Sequence, residues 1–216
     1  MIPLNVWIGY DPQFESNHTA QLRSIRVNGS DANVTYLKLN QLGHVLTRPR
    51  DPLQSTDSAF TRWLIPYLSN YQGWHLYMDS DMLVCKDLYK LLDLCDESKA
   101  VMVVKHQQKP NPTVKFKGHE QTSYNRKNWS SLMLFNSALC KDLTPEYVNN
   151  ASGLDLHQFA WLDDSLIGEL PPEWNHLVGV DKPRKNPAII HWTLGGPWFK
   201  ETKQVEHHEL WQQLNK

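Results

Sequence analysis

Apolar positions along the chain fall into two rhythms. Short continuous runs alternate with stretches of helical spacing. "LNVWIGY" reads as a first, largely buried strand, and "ESNHTAQLRSIRV" after it carries a rough helical stripe at Ala20, Leu22, Ile25 and Val27. "VTYLKL" predicts a second strand and "RPRDPLQ" a proline-rich loop. "STDSAFTRWLIPYLSNY" predicts a helix, with caps offered between Ser55 and Ser58 and a kink at Pro66. Next come a strand in "HLYMD", a short helix in "DLYKLLDL" and a strand in "AVMVVK". The polar stretch "HQQKPNPTVKFKGHEQTSYNRKN" has no clear period and two prolines, which marks a functional loop. "SSLMLFNS" returns to a strand, "TPEYVNN" and "LDLHQFAWL" predict short helices, and "PAIIHW" is a late strand entering the turn "TLGGPW". "VEHHELWQQLN" predicts a terminal helix. There is no internal repeat and no low-complexity segment.

Strands alternating with helices predict an α/β domain, with a mainly parallel central sheet covered by helices on both faces. Ligands of such sheets gather at the carboxyl ends of the strands. Three unusual features fall there: Asp11 after the first strand, Asp79 and Asp81 after a central strand, and His191 after the late one.

The length, 216 residues, suits one domain, and the formal net charge of -1 argues against a nucleic-acid binder. No apolar run reaches the length of a membrane span, and "MIPLNVWIGYDP" lacks the basic region and long apolar core of a secretory signal. Cys85, Cys95 and Cys140 fit no zinc or redox spacing and read as reduced thiols of a cytoplasmic chain. On that reading the N-x-S/T triplets at Asn17, Asn28, Asn33, Asn128 and Asn150 are coincidences, since glycosylation needs a secretory route. Nine tryptophans supply packing, and flat faces that also suit sugar rings and bases.

The sharpest feature is "WHLYMDSDMLVCKDL", where an apolar run stops at Asp-Ser-Asp and a second apolar run follows. Asp-x-Asp alone is a weak pattern, because a turn with one capping Asp would also produce it. Here the flanks are apolar, so two like charges sit beside a core, a costly arrangement without compensation. A hard divalent cation removes that cost and then neutralises a diphosphate. A lone histidine at a strand end, such as His191 in "AIIHWTLGGPWF", is more often structural than a ligand, but its neighbours make it a candidate to join the set; two carboxylates and an imidazole suit Mn²⁺, with Mg²⁺ as the alternative. Gly195 and Gly196 follow, where backbone comes close to a phosphate, with Trp192 and Trp198 flanking the turn. In "IGYDP", Tyr10 would stack on a base and Asp11 would accept from an imide N–H; a β-turn is the plainer reading of that dipeptide. In "WLDDSLIG", one of Asp163 and Asp164 fits a helix cap and the other is a candidate for the reacting centre. Arg62 is a surface cation, a partner of Asp79 or Asp81, or a phosphate contact. The basic loop from Lys105 to Lys127 is a solvated surface or an acceptor-side wall.

Taken together, "FTRWLIPYLSNYQGWHLYMDSDMLVCKDLYKLLD" resembles the central segment of GT-A-fold nucleotide-sugar glycosyltransferases, especially the glycogenin- and galactosyltransferase-like family eight. Arg62, Pro66, Asp79 and Asp81 match that family in order and spacing. "VWIGYDP" is similar to its uracil-binding loop at Tyr10 and Asp11, and His191, Gly195, Pro197 and Trp198 to its closing motif. "WLDDSLIGELPPEWN" resembles its Asp-Gln segment before a Trp-Asn, which sets Asp163 or Asp164 near the sugar or acceptor. The small size is similar to glycosyltransferase domains encoded by large algal viruses. Two departures stand out. Gly196 occupies the place of the family's diphosphate-binding Lys, with Lys200, Lys182 and Arg184 as candidate substitutes. "NWSS", Asn128 to Ser131, replaces the strand entry that carries an active-site amide.

The resemblance implies a GT-A, Rossmann-like single domain. Residues 1–105 would form a nucleotide-binding half and residues 106–216 an acceptor-side half with the metal-binding His. It implies transfer of a hexose or deoxyhexose from a UDP-sugar, UDP-glucose-like, to a hydroxyl of a glycan acceptor. Asp79, Asp81 and His191 would hold the metal; Tyr10, Asp11, Arg62, Asp79, Ser80, Gly195, Gly196 and Trp198 would bind the donor; Asp163, Asp164 and Arg62 would serve the chemistry. Asp79→Ala or Asp81→Ala should then abolish transfer and leave the fold largely intact. The chain would act in the cytoplasm, a host's if viral. A Mg²⁺-dependent phosphohydrolase of the haloacid-dehalogenase type is the alternative, because it too places Asp-x-Asp after a strand and uses a late Asp pair.

Overall fold

In the computed structural model, which describes residues 3–29, 31–51, 54, 56–107 and 126–216, the apolar runs form two sheets. The strands are β1 (Asn5–Gly9), β2 (Asn33–Leu37), β3 (Trp74–Met78), β4 (Met82–Val84), β5 (Val101–Val103), β6 (Leu132–Asn136), β7 (Ile167–Glu169), β8 (His176–Leu177) and β9 (Ile189–His191). The larger sheet has the order β2-β1-β3-β6-β5-β7; all its neighbours run parallel except β6, which opposes β3 and β5. A three-stranded sheet, β4-β9-β8, adjoins it. Strands from both sides of residue 105 share each sheet, so the two halves read from the sequence interleave in one unit.

The central strands are apolar on consecutive residues because both faces of the sheet are covered. Tyr77, Met133 and Phe135 point into one core with Trp63, Phe159 and Trp161. Leu76, Met78, Leu132 and Leu134 point into the other with Val6, Ile8 and Ile25. A third cluster, around Ala20, Leu83, Ile190 and Trp192, fills the space between the small sheet and the terminal helix region.

Six α-helices accompany the strands among the described residues: α1 (Glu15–Asn28), α2 (Ser58–Thr61), α3 (Ile65–Leu68), α4 (Pro145–Asn150), α5 (Gly153–His157) and α6 (His208–Leu214). Three expectations are corrected. The single kinked helix is two four-residue helices joined by a 3₁₀ turn at Arg62–Leu64, with Pro66 in the first turn of α3, where its missing N–H costs nothing. Asp57 precedes α2, Ser58 lies inside it, and Ser55 lies outside the described residues. The apolar stripe of α1 is also wrong in part: Ala20 and Ile25 are buried but Val27 is 74% exposed. The inner face instead carries Asn17, Gln21 and Ser24, for a reason given below. "DLYKLLDL" winds as a 3₁₀ helix, Leu88–Leu94, and not as an α-helix. Residues 108–125 of the long polar loop lie outside the described residues. Cys85, Cys95 and Cys140 are free thiols, and no described helix is long and apolar enough to cross a membrane.

Candidate metal and donor site

The chain changes sheets at Asp-Ser-Asp, which is why two carboxylates interrupt an apolar run. Asp79 N–H continues the ladder of β3 by donating to Ser131 O at 2.9 Å. Two residues later, Asp81 O accepts from Trp192 N at 3.0 Å, and the next residue begins β4. Antiparallel pairing then sets Met82 opposite His191, so register alone delivers the imidazole to Asp81. His191 Nε2 lies 3.3 Å from Asp81 Oδ1. Ligand atoms of Asp79, Asp81 and His191 all fall within 4.8 Å of one another.

Asp79 and His191 are each held from behind. Arg62 Nη2 pairs with Asp79 Oδ1 at 2.9 Å, and the Tyr77 hydroxyl donates to the same oxygen at 2.6 Å. Arg62 also donates to Ser130 O at 2.7 Å and Ser58 O at 3.2 Å, which makes it a buried brace and not the surface cation that was one of its readings. Burial raises the Asp79 carboxyl above the usual range; Arg62 opposes this, Asp81 adds to it, and His191 opposes it more weakly. His191 Nδ1 sits 2.9 Å from Asn175 Oδ1, while Asn175 Nδ2 donates to Ser131 Oγ at 2.9 Å and reaches Asn128 O at 3.4 Å. A carbonyl can only accept, so Asn128 O orients the amide and the amide oxygen then faces His191. His191 therefore donates from Nδ1 and presents its Nε2 lone pair to Asp81. Two acceptors face each other at 3.3 Å, a donor set that fits a divalent cation. Replacing Asn175 by Ala is expected to weaken Mn²⁺ binding by about 10- to 100-fold, read by calorimetry on the purified chain.

The loop itself hangs from α1. Asn17 Nδ2 donates to Ser80 O at 2.6 Å and Gln21 Nε2 to Asp79 O at 2.8 Å. Ser24 Oγ accepts from Val84 N at 3.0 Å and Asn28 Nδ2 donates to Val84 O at 3.1 Å. That is why the inner face of the helix is polar: it satisfies backbone that leaves one sheet before joining the next. Asn17 is fully buried in this role, out of reach as a glycan acceptor.

At the neighbouring rim, Tyr10 lies 4.8 Å from His18 ring to ring, with the Lys38 ammonium 4.7 Å from its centre. Asp11 accepts from Gln13 N at 2.9 Å and Asp57 N at 2.8 Å, so it joins the first strand's end to the start of α2. Gly195 has φ +112°, a conformation that favours glycine, and a Cβ on Gly196 would fall 2.2 Å from the Trp198 ring. The indole over Gly196 leaves no room for the family's lysine there. Lys182 and Lys200 are exposed and Arg184 is half-buried.

Asp163 and Asp164 stand apart. They precede the amino end of β7, whereas Asp79 and Asp81 follow the carboxyl end of β3; the two strands run in the same direction, so the acidic pairs leave the sheet at opposite ends. The Asp163 carboxylate accepts from Ser165 N and Oγ, which holds it below the usual carboxylate range, and Asp164 pairs with Arg126 at 2.6 Å. The structure does not bring them to the Asp79–Asp81–His191 group. The same separation removes the phosphohydrolase alternative, which needs the late pair on the Asp-x-Asp rim.

Sequence reasoning missed Asn175, Ser131, Tyr77 and the polar face of α1. The Trp-Asn pair was visible as a motif, but nothing in it told that the amide orients His191. "NWSS", read as a loss, supplies three backbone or hydroxyl partners through Asn128, Ser130 and Ser131.

Over 219 aligned residues, the chain is 40% identical to Protein CDI of Arabidopsis thaliana, spanning 97% of this chain and 85% of that one. It belongs to the Protein CDI family. No protein-family model matches the chain. Among solved structures, the apo form of the bifunctional glycosyltransferase WbbM is similar with a TM-score of 0.72 at 18% identity, over 99% of this chain. The chain spans only about half of WbbM, 49%. The galactosyltransferase LgtC, solved with donor and acceptor sugar analogues, gives 0.62 at 11% identity over 98% of this chain and 95% of LgtC. A glycosyltransferase involved in glycosylation of the major capsid of PBCV-1 gives 0.55 at 10% identity, 98% of each chain being covered. The fold of this Protein CDI relative is thus the GT-A fold, as the motif resemblance implied, with the PBCV-1 capsid glycosyltransferase among its structural neighbours.

Proposed function

We propose that this chain is a metal-dependent glycosyltransferase that moves a hexose or deoxyhexose from a UDP-sugar to a hydroxyl of a glycan. The observation that carries the reading is the oriented Asp79–Asp81–His191 group, placed where β3 of a GT-A fold hands over to a second sheet. Glycosyltransferases among the structural neighbours support it, one of them solved with donor and acceptor sugar analogues. Asp79, Asp81 and His191 would hold Mn²⁺, or Mg²⁺, which supplies charge neutralisation for the departing diphosphate.

The protein's own part is orientation. Asn175 holds the His191 lone pair toward Asp81, and Arg62 with Tyr77 holds Asp79 from the buried side. Tyr10 and Asp11 offer the base a ring and a carboxylate beside the end of β1, and the Gly195–Trp198 turn offers backbone to the phosphates. Asp163 and Asp164 take no part in this proposal, because their strand begins at the other end of the sheet. The acceptor proton would leave with the diphosphate.

Calorimetry of UDP with and without Mn²⁺ tests the reading. Binding is expected with Mn²⁺ and lost on chelation, and a panel of UDP-sugars then names the donor by turnover. No UDP binding in either condition would remove the transferase proposal.

A further inference from the structure

Away from the Asp-x-Asp loop, three potential ligands converge where the chain approaches α6. His176 on β8 is 1% exposed in its side chain, and its Nε2 has no hydrogen-bond partner. That atom faces Glu206 Oε1 at 3.8 Å. His207 Nε2 approaches the same oxygen at 3.2 Å and is likewise without a hydrogen bond. Ligand atoms of the three residues lie within 4.8 Å of one another. The supports match those of a metal site. Glu206 is fixed at both ends, its Oε1 accepting from Arg184 N at 3.3 Å and its backbone O from Trp192 Nε1 at 3.0 Å. His176 turns Nδ1 toward Asp181 Oδ2 at 3.7 Å, and that oxygen is anchored by Leu177 N at 2.8 Å. His207 adopts φ +66°, a left-handed backbone that turns its ring back beside Glu206.

We infer that His176, Glu206 and His207 form a second divalent-cation site, of zinc type, that fastens the segment before α6 to β8. Two imidazoles and one carboxylate suit Zn²⁺, whose bonds of about 2.0–2.1 Å set tetrahedral ligand atoms roughly 3.4 Å apart. The observed 3.2 and 3.8 Å bracket that spacing. The site is separate from the proposed donor site in ligands and in metal preference, and stands whether or not the transferase reading does.

The test uses the 216-residue chain carrying Asp81→Ala, which disables the other group, after chelation and dialysis. Titration with Co²⁺ is expected to show one equivalent bound, with visible absorption of a four-coordinate ion that Zn²⁺ then displaces. Adding His207→Asn, which tolerates the left-handed backbone, or Glu206→Gln should weaken Co²⁺ binding at least tenfold while the metal-free melting temperature stays unchanged. No Co²⁺ uptake by the Asp81→Ala chain, or equal affinity with either added substitution, overturns the site. Mn²⁺-dependent UDP binding by the unsubstituted chain is scored separately, so the two ideas fail independently.

Discussion

Asp81→Ala is expected to lower sugar transfer by about a thousandfold or more, with the melting temperature within a few degrees of the parent. Asp81 contributes a ligand that faces His191, and removing it leaves one carboxylate where two were placed. On the proposed function, the several kcal/mol that a metal would contribute to the leaving diphosphate would be lost with it, and each 1.36 kcal/mol is about tenfold in rate. The fold should tolerate the change, because the substitution takes one of two neighbouring like charges away and the backbone bond from Trp192 N to Asp81 O remains. Turnover within tenfold of the parent in a folded variant would end the metal assignment. Asp79→Ala is a poorer probe than its position in the motif implies. It takes the carboxylate partner from the buried Arg62 guanidinium, which keeps only its bonds to carbonyls, so lost activity and lost stability arrive together.

The complementary experiment is Arg62→Ala, expected to cost about 3–5 kcal/mol of stability, roughly 10 °C in melting temperature for a chain of this size. Three groups lose a donor at once: Asp79 Oδ1, Ser130 O and Ser58 O. The guanidinium also lies 4.8 Å from the centre of the Tyr77 ring, so its removal opens space beside β3. The sign for the site follows from Asp79. Burial already raises this carboxyl and Arg62 holds it down, so without Arg62 it rises further. A protonated carboxyl does not bind a cation, and Mn²⁺ uptake by the variant should shift to higher pH. Thermal melts and Mn²⁺ titrations across pH check both parts. An unchanged melting temperature would show that Arg62 is not a brace.

The chemistry of the site was easier to read than its supports. Two carboxylates against apolar flanks are legible because nothing else in a core tolerates them, and His191 beside a glycine turn stands out for a similar reason. Of the small sheet only β9 was legible, as the late strand in "PAIIHW"; β4 and β8, of three and two residues, are too short for any period to show. β7 hid behind Asp163 and Asp164, whose capping chemistry reads like a helix start; it is a 3₁₀ turn running into a strand. The helix around Arg62 looked continuous because its residues are apolar on every side, whereas Arg62–Leu64 tightens into a 3₁₀ turn between two short helices. Asn175 was unreadable as an orienting group, because its role depends on Asn128 and Ser131, which are distant in sequence.

The helix beneath the loop has a bearing on anyone who tries to make this protein sturdier. Positions 17, 21, 24 and 28 of α1 form one stripe, and a repacking protocol would see three amides and a hydroxyl facing inward and propose leucines. Such a redesign would raise the apolar content of the helix and leave the carbonyls of Asp79, Ser80 and Val84 and the amide of Val84 with nothing to bond. The redesigned product would keep its motif letters intact and lose the shape they need. Conversely, a distant relative that keeps Asp-x-Asp but carries hydrocarbon at these four places is expected to have lost the loop geometry on which the proposed activity depends.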